Sequence, residues 1–219
     1  MNKLREIKPI WQAALSDRVF RTKFIITLAF LALVLFLLAN FLSYNEHRAG
    51  FPLNDPFLSS FNPVDLTWLT FILIYAGLVT ALVFLTFHPA RMLTALQSYI
   101  LISALRIITI YFLPLNAPVH IIPLTDPFVE FFGGGTTLLR DLFFSGHTST
   151  MFLFFLTAKS KNLKTIFLIC TILVASCVLL QHVHYTIDVI AAPFFAYTSY
   201  RISRLMNKKK KNHSKNHSS

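Results

Sequence analysis

"LTWLTFILIYAGLVTALVFLTF", residues 66–87, runs for 22 residues without a charged side chain. Roughly 20 predominantly apolar residues cross the hydrocarbon core of a bilayer, so this stretch decides that the chain is read as a membrane protein. Backbone N–H and C=O groups in that core must be bonded internally, which a helix achieves and an open sheet edge does not. Five further runs share the character: 24–42, 92–113, 142–158, 165–180 and 183–200. Only Arg106 in the third run and Asp188 in the sixth interrupt them with charge. The run at 165–180 is short for a span and is expected to borrow its flanks.

The expected fold is therefore all-α, a polytopic membrane domain of six transmembrane helices over residues 23–205. A basic, partly amphipathic segment, 1–22, precedes it, and a polar lysine-rich tail, 206–219, expected to be disordered, follows. Composition agrees: the chain is 55% hydrophobic and 13% charged, where soluble domains carry about a quarter charged residues. The first run has a core too long for a signal peptide and no convincing small-residue cleavage site, so it is expected to remain as an anchor.

Basic residues orient the spans. With both termini and the even-numbered loops assigned to the cytoplasm, six Lys and Arg fall before the first span. Arg91 adds one, Lys159, Lys161 and Lys164 add three, and the segment from Arg201 adds seven. These make 17 of 20, with Arg48 and Arg140 opposite and Arg106 within a span. Such asymmetry is the positive-inside pattern. The net charge of +11 then reflects topology and attraction to anionic headgroups, and no nucleic-acid partner is expected. Cys170 and Cys177 lie seven apart on one helix, about 10 Å of rise, beyond disulfide reach, and read as packing residues.

Two outer loops are long. "DPFVEFF", 126–132, could form a short interfacial helix, and Gly133–Gly135 reads as a hinge because it lacks the Lys-Ser/Thr ending of a phosphate loop.

Polar groups inside spans are expensive and usually face an interior site. His147 is expected to open span four and His184 span six, both at the outer surface. Asp188 follows His184 by four residues, one helix face apart by one turn. Arg106 lies about 10 Å below the outer end of span three, and Asp141 lies just ahead of His147. Two histidines, two carboxylates and an arginine thus converge at one level, which suits phosphoryl-type transfer. One histidine acts as nucleophile and the other as general acid, with a carboxylate fixing the tautomer. Backbone N–H groups following Ser145 and Gly146 could hold phosphate oxygens. Alternatives are a structural histidine, a metal held by His182, His184 and Asp188, and Arg106 paired only with Asp65 or a lipid phosphate. An i to i+2 spacing splays two metal ligands apart on a helix, and the phosphoryl chemistry needs neither metal nor cofactor.

"RDLFFSGHTST", 140–150, and "HVHYTIDVIAAPFFAY", 182–197, resemble the third and fourth motifs of the sphingomyelin synthase family, part of the lipid phosphate phosphatase (PAP2) superfamily. "LRIITIYFLPL", 105–115, resembles the second motif and "FPLNDPF", 51–57, weakly the first. The resemblance implies catalytic His147, His184 and Asp188, with substrate-binding positions at Asp141, Ser145, Gly146, Arg106 and Tyr185. It also implies six spans and a site on the exoplasmic, periplasmic or lumenal face of a plasma, bacterial inner or Golgi-type membrane. The reaction expected is transfer of a phosphocholine- or phosphoethanolamine-type headgroup from a phospholipid donor to a ceramide or diacylglycerol-like acceptor. Hydrolysis at the same site is the alternative, and a non-catalytic lipid-binding or transport protein is the alternative of another class. The chain departs from ordinary PAP2 phosphatases: no Arg-Pro pair occurs, Phe144 stands for a proline, and Cys177-Val178 stand for Ser-Arg. Fewer cations favour a monoanionic diester over a dianionic monoester.

Overall fold

The computed structural model describes residues 3–125 and 138–208. The expected interfacial helix at 126–132, the glycine hinge and most of the 206–219 tail lie outside them. Among the described residues the protein is all-helical. Its α-helices are α1 (Ile7–Ser16), α2 (Arg18–Glu46), α3 (Thr67–Thr86), α4 (Pro89–Phe112), α5 (Gly146–Thr157), α6 (Lys161–Leu180) and α7 (Thr186–Met206), with 3₁₀ turns at Lys3–Glu6 and Leu58–Ser60.

Four of these helices, α2, α3, α4 and α6, are long and apolar enough to cross a membrane. Caps explain why α2, α4 and α6 outrun the hydropathy windows. Asp17 accepts from Val19 N and Phe20 N, which starts α2 six residues before the apolar core. Pro89 occupies the first turn of α4, where its missing N–H is harmless. Ser160 accepts from Leu163 N at 3.2 Å and adds the flank that the fifth run needed.

The fourth run departs from expectation. Only Gly146–Thr157 is helical, 12 residues or about 18 Å at 1.5 Å per residue. Residues 142–145 form a bent approach instead, with Phe143 at φ 51° and Ser145 capping the helix through Thr148 N. The sixth run also shifts: α7 begins at Thr186, and Val183 and His184 belong to the connection before it. α7 has the length of a span, but its composition falls outside the measure that α2, α3, α4 and α6 meet.

α5 is the hub. It packs against α6, α7 and α4, and Met151, Leu153 and Phe154 are buried from it. On α7, Ala192, Ala196, Ser199 and Ser203 are buried at three- and four-residue spacing, a small-residue face that lets helices approach closely. Phe144 is fully buried and stacks on Phe195 with centroids 4.1 Å apart. Outward faces are apolar as well: Trp68 is 81% exposed and Phe112 76%, as lipid-facing positions require.

The bundle has two distinct ends. At one, Arg91 donates to Thr157 O and Ala158 O, Asn207 donates to Gln97 Oε1, and Lys23 donates to Met206 O. At the other, Glu46 accepts from Leu139 N and Arg140 N, and Asn45 donates to Arg140 O. Loops close over this second end. A bridge joins Phe51 to Leu115, and Val64 N donates to Leu180 O.

Candidate active site

The residues singled out in the sequence gather at the loop-covered end. Their placement starts with how α6 stops. Gln181 caps it, and His182 turns left-handed at φ 57°. Val183 N then bonds Val178 O at 2.9 Å and His182 N bonds Leu179 O at 2.9 Å. This pair of reversed bonds is the Schellman arrangement, and it delivers His184 to the start of α7.

His184 therefore precedes the helix, and a shared helix face does not account for its contact with Asp188. Asp188 is the third residue of α7, and its Oδ2 folds back to accept from Tyr185 N at 3.1 Å. The same oxygen lies 3.3 Å from His184 Nδ1. A helix-capping carboxylate thus doubles as the partner of the imidazole. Both are sealed, with Asp188 0% and His184 3% exposed. Oδ1 of Asp188 is buried without a partner among the described residues.

α5 is tied to this turn directly. Ser145 N donates to Asp188 O at 3.1 Å, so the residue capping α5 is bonded to the first turn of α7. Ser145 and Gly146 are buried, and His147, second in α5, is half-buried. The first-turn amides of Gly146 and His147 have no carbonyl of their own helix to bond.

Arg106 arrives from α4. It is 9% exposed and forms an ion pair with Asp141, while Asp65 instead accepts from Thr67 N. The guanidinium lies flat against Gly146: a Cβ there would stand 2.5 Å from Arg106 Nη1 and 2.7 Å from Cζ. Asp141 sits in the connecting segment 138–145. Burial works to raise its carboxyl; the Arg106 charge, the hydrogen bond from Arg106 and the His184 and His147 rings together outweigh this, and the group stays below the usual carboxylate range. Asp141 is thus where the electrostatics of both histidines and the arginine meet.

A cavity of about 470 Å³ opens from these groups. Arg106, Asp141, Gly146, His147 and Thr150 form its polar end, and Leu31, Leu35, Leu82, Leu85, Met92 and Leu96 are among its apolar lining. From Arg106 to Met92 along α4 is about 21 Å at 1.5 Å per residue. Half of the ~30 Å hydrocarbon core is about 15 Å, so the cavity is deep enough for much of an acyl chain.

Other expected residues take different places. Tyr185 is buried with its hydroxyl 3.0 Å from Asn116 O and 3.4 Å from Leu53 N; it ties loops together and does not line the cavity. His182 Nδ1 lies 3.3 Å from Val119 O, and its ring meets Phe61 edge-on. Among the described residues no cluster of three His, Cys, Asp or Glu could hold a metal ion.

Asp55 escaped the sequence reading as an individual residue. It accepts from Thr186 N at 2.7 Å and Thr186 Oγ1 at 3.1 Å, and from Phe57 N and Leu58 N. It places a negative charge at the N-terminus of α7, where the helix dipole favours one. The signal was present as the Asn-Asp-Pro turn of "FPLNDPF".

The fold and site together define a helical membrane protein with a buried His-Asp pair and an ion-paired arginine. Residues 140–205 match the family model for the PAP2 superfamily C-terminal region. No curated protein matches the chain. The matched span holds Asp141, His147, His184 and Asp188 and excludes Arg106. It supports a lipid phosphatase or phosphotransferase type of enzyme.

Proposed function

We propose that the protein is an integral-membrane lipid phosphotransferase of the sphingomyelin synthase type. It moves a phosphocholine- or phosphoethanolamine-type headgroup from a glycerophospholipid to ceramide or another lipid hydroxyl. The observation that carries this reading is the sealed His184–Asp188 pair at the loop-covered end, whose imidazole acts electrostatically on Asp141, the ion-pair partner of Arg106 at the polar end of the apolar cavity. In it, α2 to α7 make six crossings, the non-helical segment 142–145 completes the fourth, both termini are cytoplasmic, and the site faces the exoplasmic side.

With its Nδ1 proton directed to Asp188, His184 attacks the donor phosphorus through Nε2. The P–O bond to diacylglycerol breaks as the N–P bond forms, and His147 as imidazolium gives its proton to the departing oxygen. Neutral His147 then removes the proton of the acceptor hydroxyl. That oxygen attacks phosphorus, and His184 leaves with its electron pair restored. Between the steps the phosphorylated imidazole is cationic, and Asp188 stabilises it. Arg106, backed by Asp141, and the first-turn amides of α5 bind the equatorial oxygens.

The charge count supports a diester. Arg106 already faces the Asp141 carboxylate, so little net positive charge is left for a dianionic monoester. Each missing charge-assisted contact is worth about 1.5–3 kcal/mol, or about one to two orders of magnitude in rate. Purified protein in vesicles, supplied separately with phosphatidylcholine, phosphatidylethanolamine and phosphatidic acid, with and without ceramide, tests this by mass spectrometry. Diacylglycerol with an equimolar headgroup-bearing sphingolipid is expected. Preference for phosphatidic acid with release of inorganic phosphate overturns transfer in favour of hydrolysis.

A further inference from the structure

The basic residues at the far end of the bundle face one concavity. Between the starts of α4 and α6 and the ends of α5 and α7 lies a cavity of about 480 Å³. Arg91, Lys159, Lys164, Arg204 and Lys208 line it, with Tyr200 beside them and no carboxylate among the lining residues. Arg91 is fifteen residues from Arg106 on α4, about 22 Å, so this is a separate place from the histidine site. At ~30 Å³ per water it has room for roughly 16 waters, more than a lone phosphate fills.

Topology and helix capping account for part of this charge. Positive-inside sorting collects cations at one end, and Arg91 is engaged with the last carbonyls of α5. They do not explain convergence. The two ion pairs of the described residues, Arg106–Asp141 and His184–Asp188, involve none of the five. Arg91 is held by its bonds to α5, and the last turn of α7, which carries Arg204, is tied down: Asn207 donates to Gln97 Oε1 at 2.6 Å and to Thr94 Oγ1 at 3.2 Å, and Lys23 donates to Met206 O. Oδ1 of Asn207, itself a lining residue, is buried with no partner among the described residues. Such an acceptor calls for a hydroxyl donor, and like charges gathered round a concavity call for an anion.

We propose that this cavity binds a phosphomonoester carried on a hydroxyl-bearing headgroup, presented by an anionic lipid of the leaflet opposite the histidine site. Bound there, it would clamp four helix ends together. Basic pockets between transmembrane helices take such headgroups.

The test uses the full chain carrying His184→Asn, so that turnover at the other end cannot consume the probe and the outcome is independent of the proposed reaction. It is placed in phosphatidylcholine nanodiscs containing a few mole per cent of phosphatidylinositol 4-phosphate. Parallel arms hold phosphatidylserine at matched charge, or soluble inositol 1,4-bisphosphate without anionic lipid. The expected result is a rise in melting temperature and one retained phosphoinositide by native mass spectrometry, neither given by phosphatidylserine. Adding Arg204→Gln with Lys208→Gln weakens retention at least tenfold; Lys159→Gln with Lys164→Gln does the same where the first pair does not fold. Equal response to phosphatidylserine, or unchanged retention in a folded variant, overturns the site and leaves these cations to topology alone. A full response to the soluble phosphate keeps the pocket chemistry and overturns its lipid source.

Discussion

Replacing Asp188 by Asn separates charge from geometry at the candidate nucleophile. Oδ2 of Asp188 serves two donors at once, Tyr185 N at 3.1 Å and His184 Nδ1 at 3.3 Å. In Asp188→Asn the amide oxygen must face Tyr185 N, because turning the NH₂ there would set donor against donor. The oxygen then still accepts from His184, so the tautomer with its proton on Nδ1 is kept. What is lost is the negative charge opposite a ring that becomes cationic during transfer. A hydrogen bond to a charged group is worth about 1.5–3 kcal/mol, and at 1.36 kcal/mol per tenfold kcat falls about 10- to 150-fold. The amide NH₂ takes the place of Oδ1, which has no partner among the described residues, and an unsatisfied buried donor destabilises by about 1–3 kcal/mol. Asp188→Ala removes cap and partner together, so it loses a further tenfold or more in rate. The assay is diacylglycerol formation from a phosphodiester lipid, read beside melting temperature and against His184→Asn, which is expected to be inactive. If folded Asp188→Asn is as dead as His184→Asn, the amide has turned over and the pinning by Tyr185 is wrong. Activity within twofold of wild type removes Asp188 from the reacting pair altogether.

Gly146→Ala forces the Arg106 guanidinium aside by about 1 Å, a displacement that can cost 10²-fold in rate; normal kcat/KM with Arg106 still paired to Asp141 in a structure of the variant refutes it. For Asp55, partial burial works to raise the carboxyl, and the bonds from Thr186, Leu58 and Phe57 outweigh it and hold it below the usual range. Its contribution to stability is thus present above the unfolded value, about 3.9, and is lost as pH falls through the lower folded value. Melting temperature between pH 5 and pH 3 should fall more steeply for wild type than for Asp55→Asn, and parallel curves contradict this. Sidedness is checked in a background lacking Cys170 and Cys177: a cysteine at exposed Ser59 should react with an impermeant reagent from outside, and one at exposed Lys161 should not. The reverse pattern inverts the topology.

The sequence made the long helices legible because hydropathy reports what a bilayer demands of a span. It left their ends open, where a single hydrogen-bonding side chain decides. Asp17 and Ser160 extend two helices beyond their apolar cores. The run at 142–158 looked like one span because Leu142, Phe143 and Phe144 are as apolar as the helix they precede. They are apolar for another reason: Leu142 and Phe144 are buried in the protein, and the approach they form brings Asp141 to Arg106. Composition cannot distinguish burial in protein from contact with lipid.

The candidate site shows the same limit at finer scale. The four-residue spacing of His184 and Asp188 suggested a shared helix face, and the two residues do meet, but through a capping carboxylate reaching back over the N-terminus of α7. Their pairing therefore depends on His182 adopting a left-handed turn and on Asp55 holding Thr186, roles that the chemistry of neither side chain advertises. Gly146 makes the point most sharply. Its backbone is helical, so no positive φ demands glycine there, and the sequence offered only the possibility of an anion-binding helix start. The demand comes from Arg106, forty residues earlier, whose guanidinium lies where a methyl group would be. The candidate reacting residues are recognisable by their chemistry. The residues that aim them are recognisable only by the space they leave or the bonds they make, and those exist once the chain has folded.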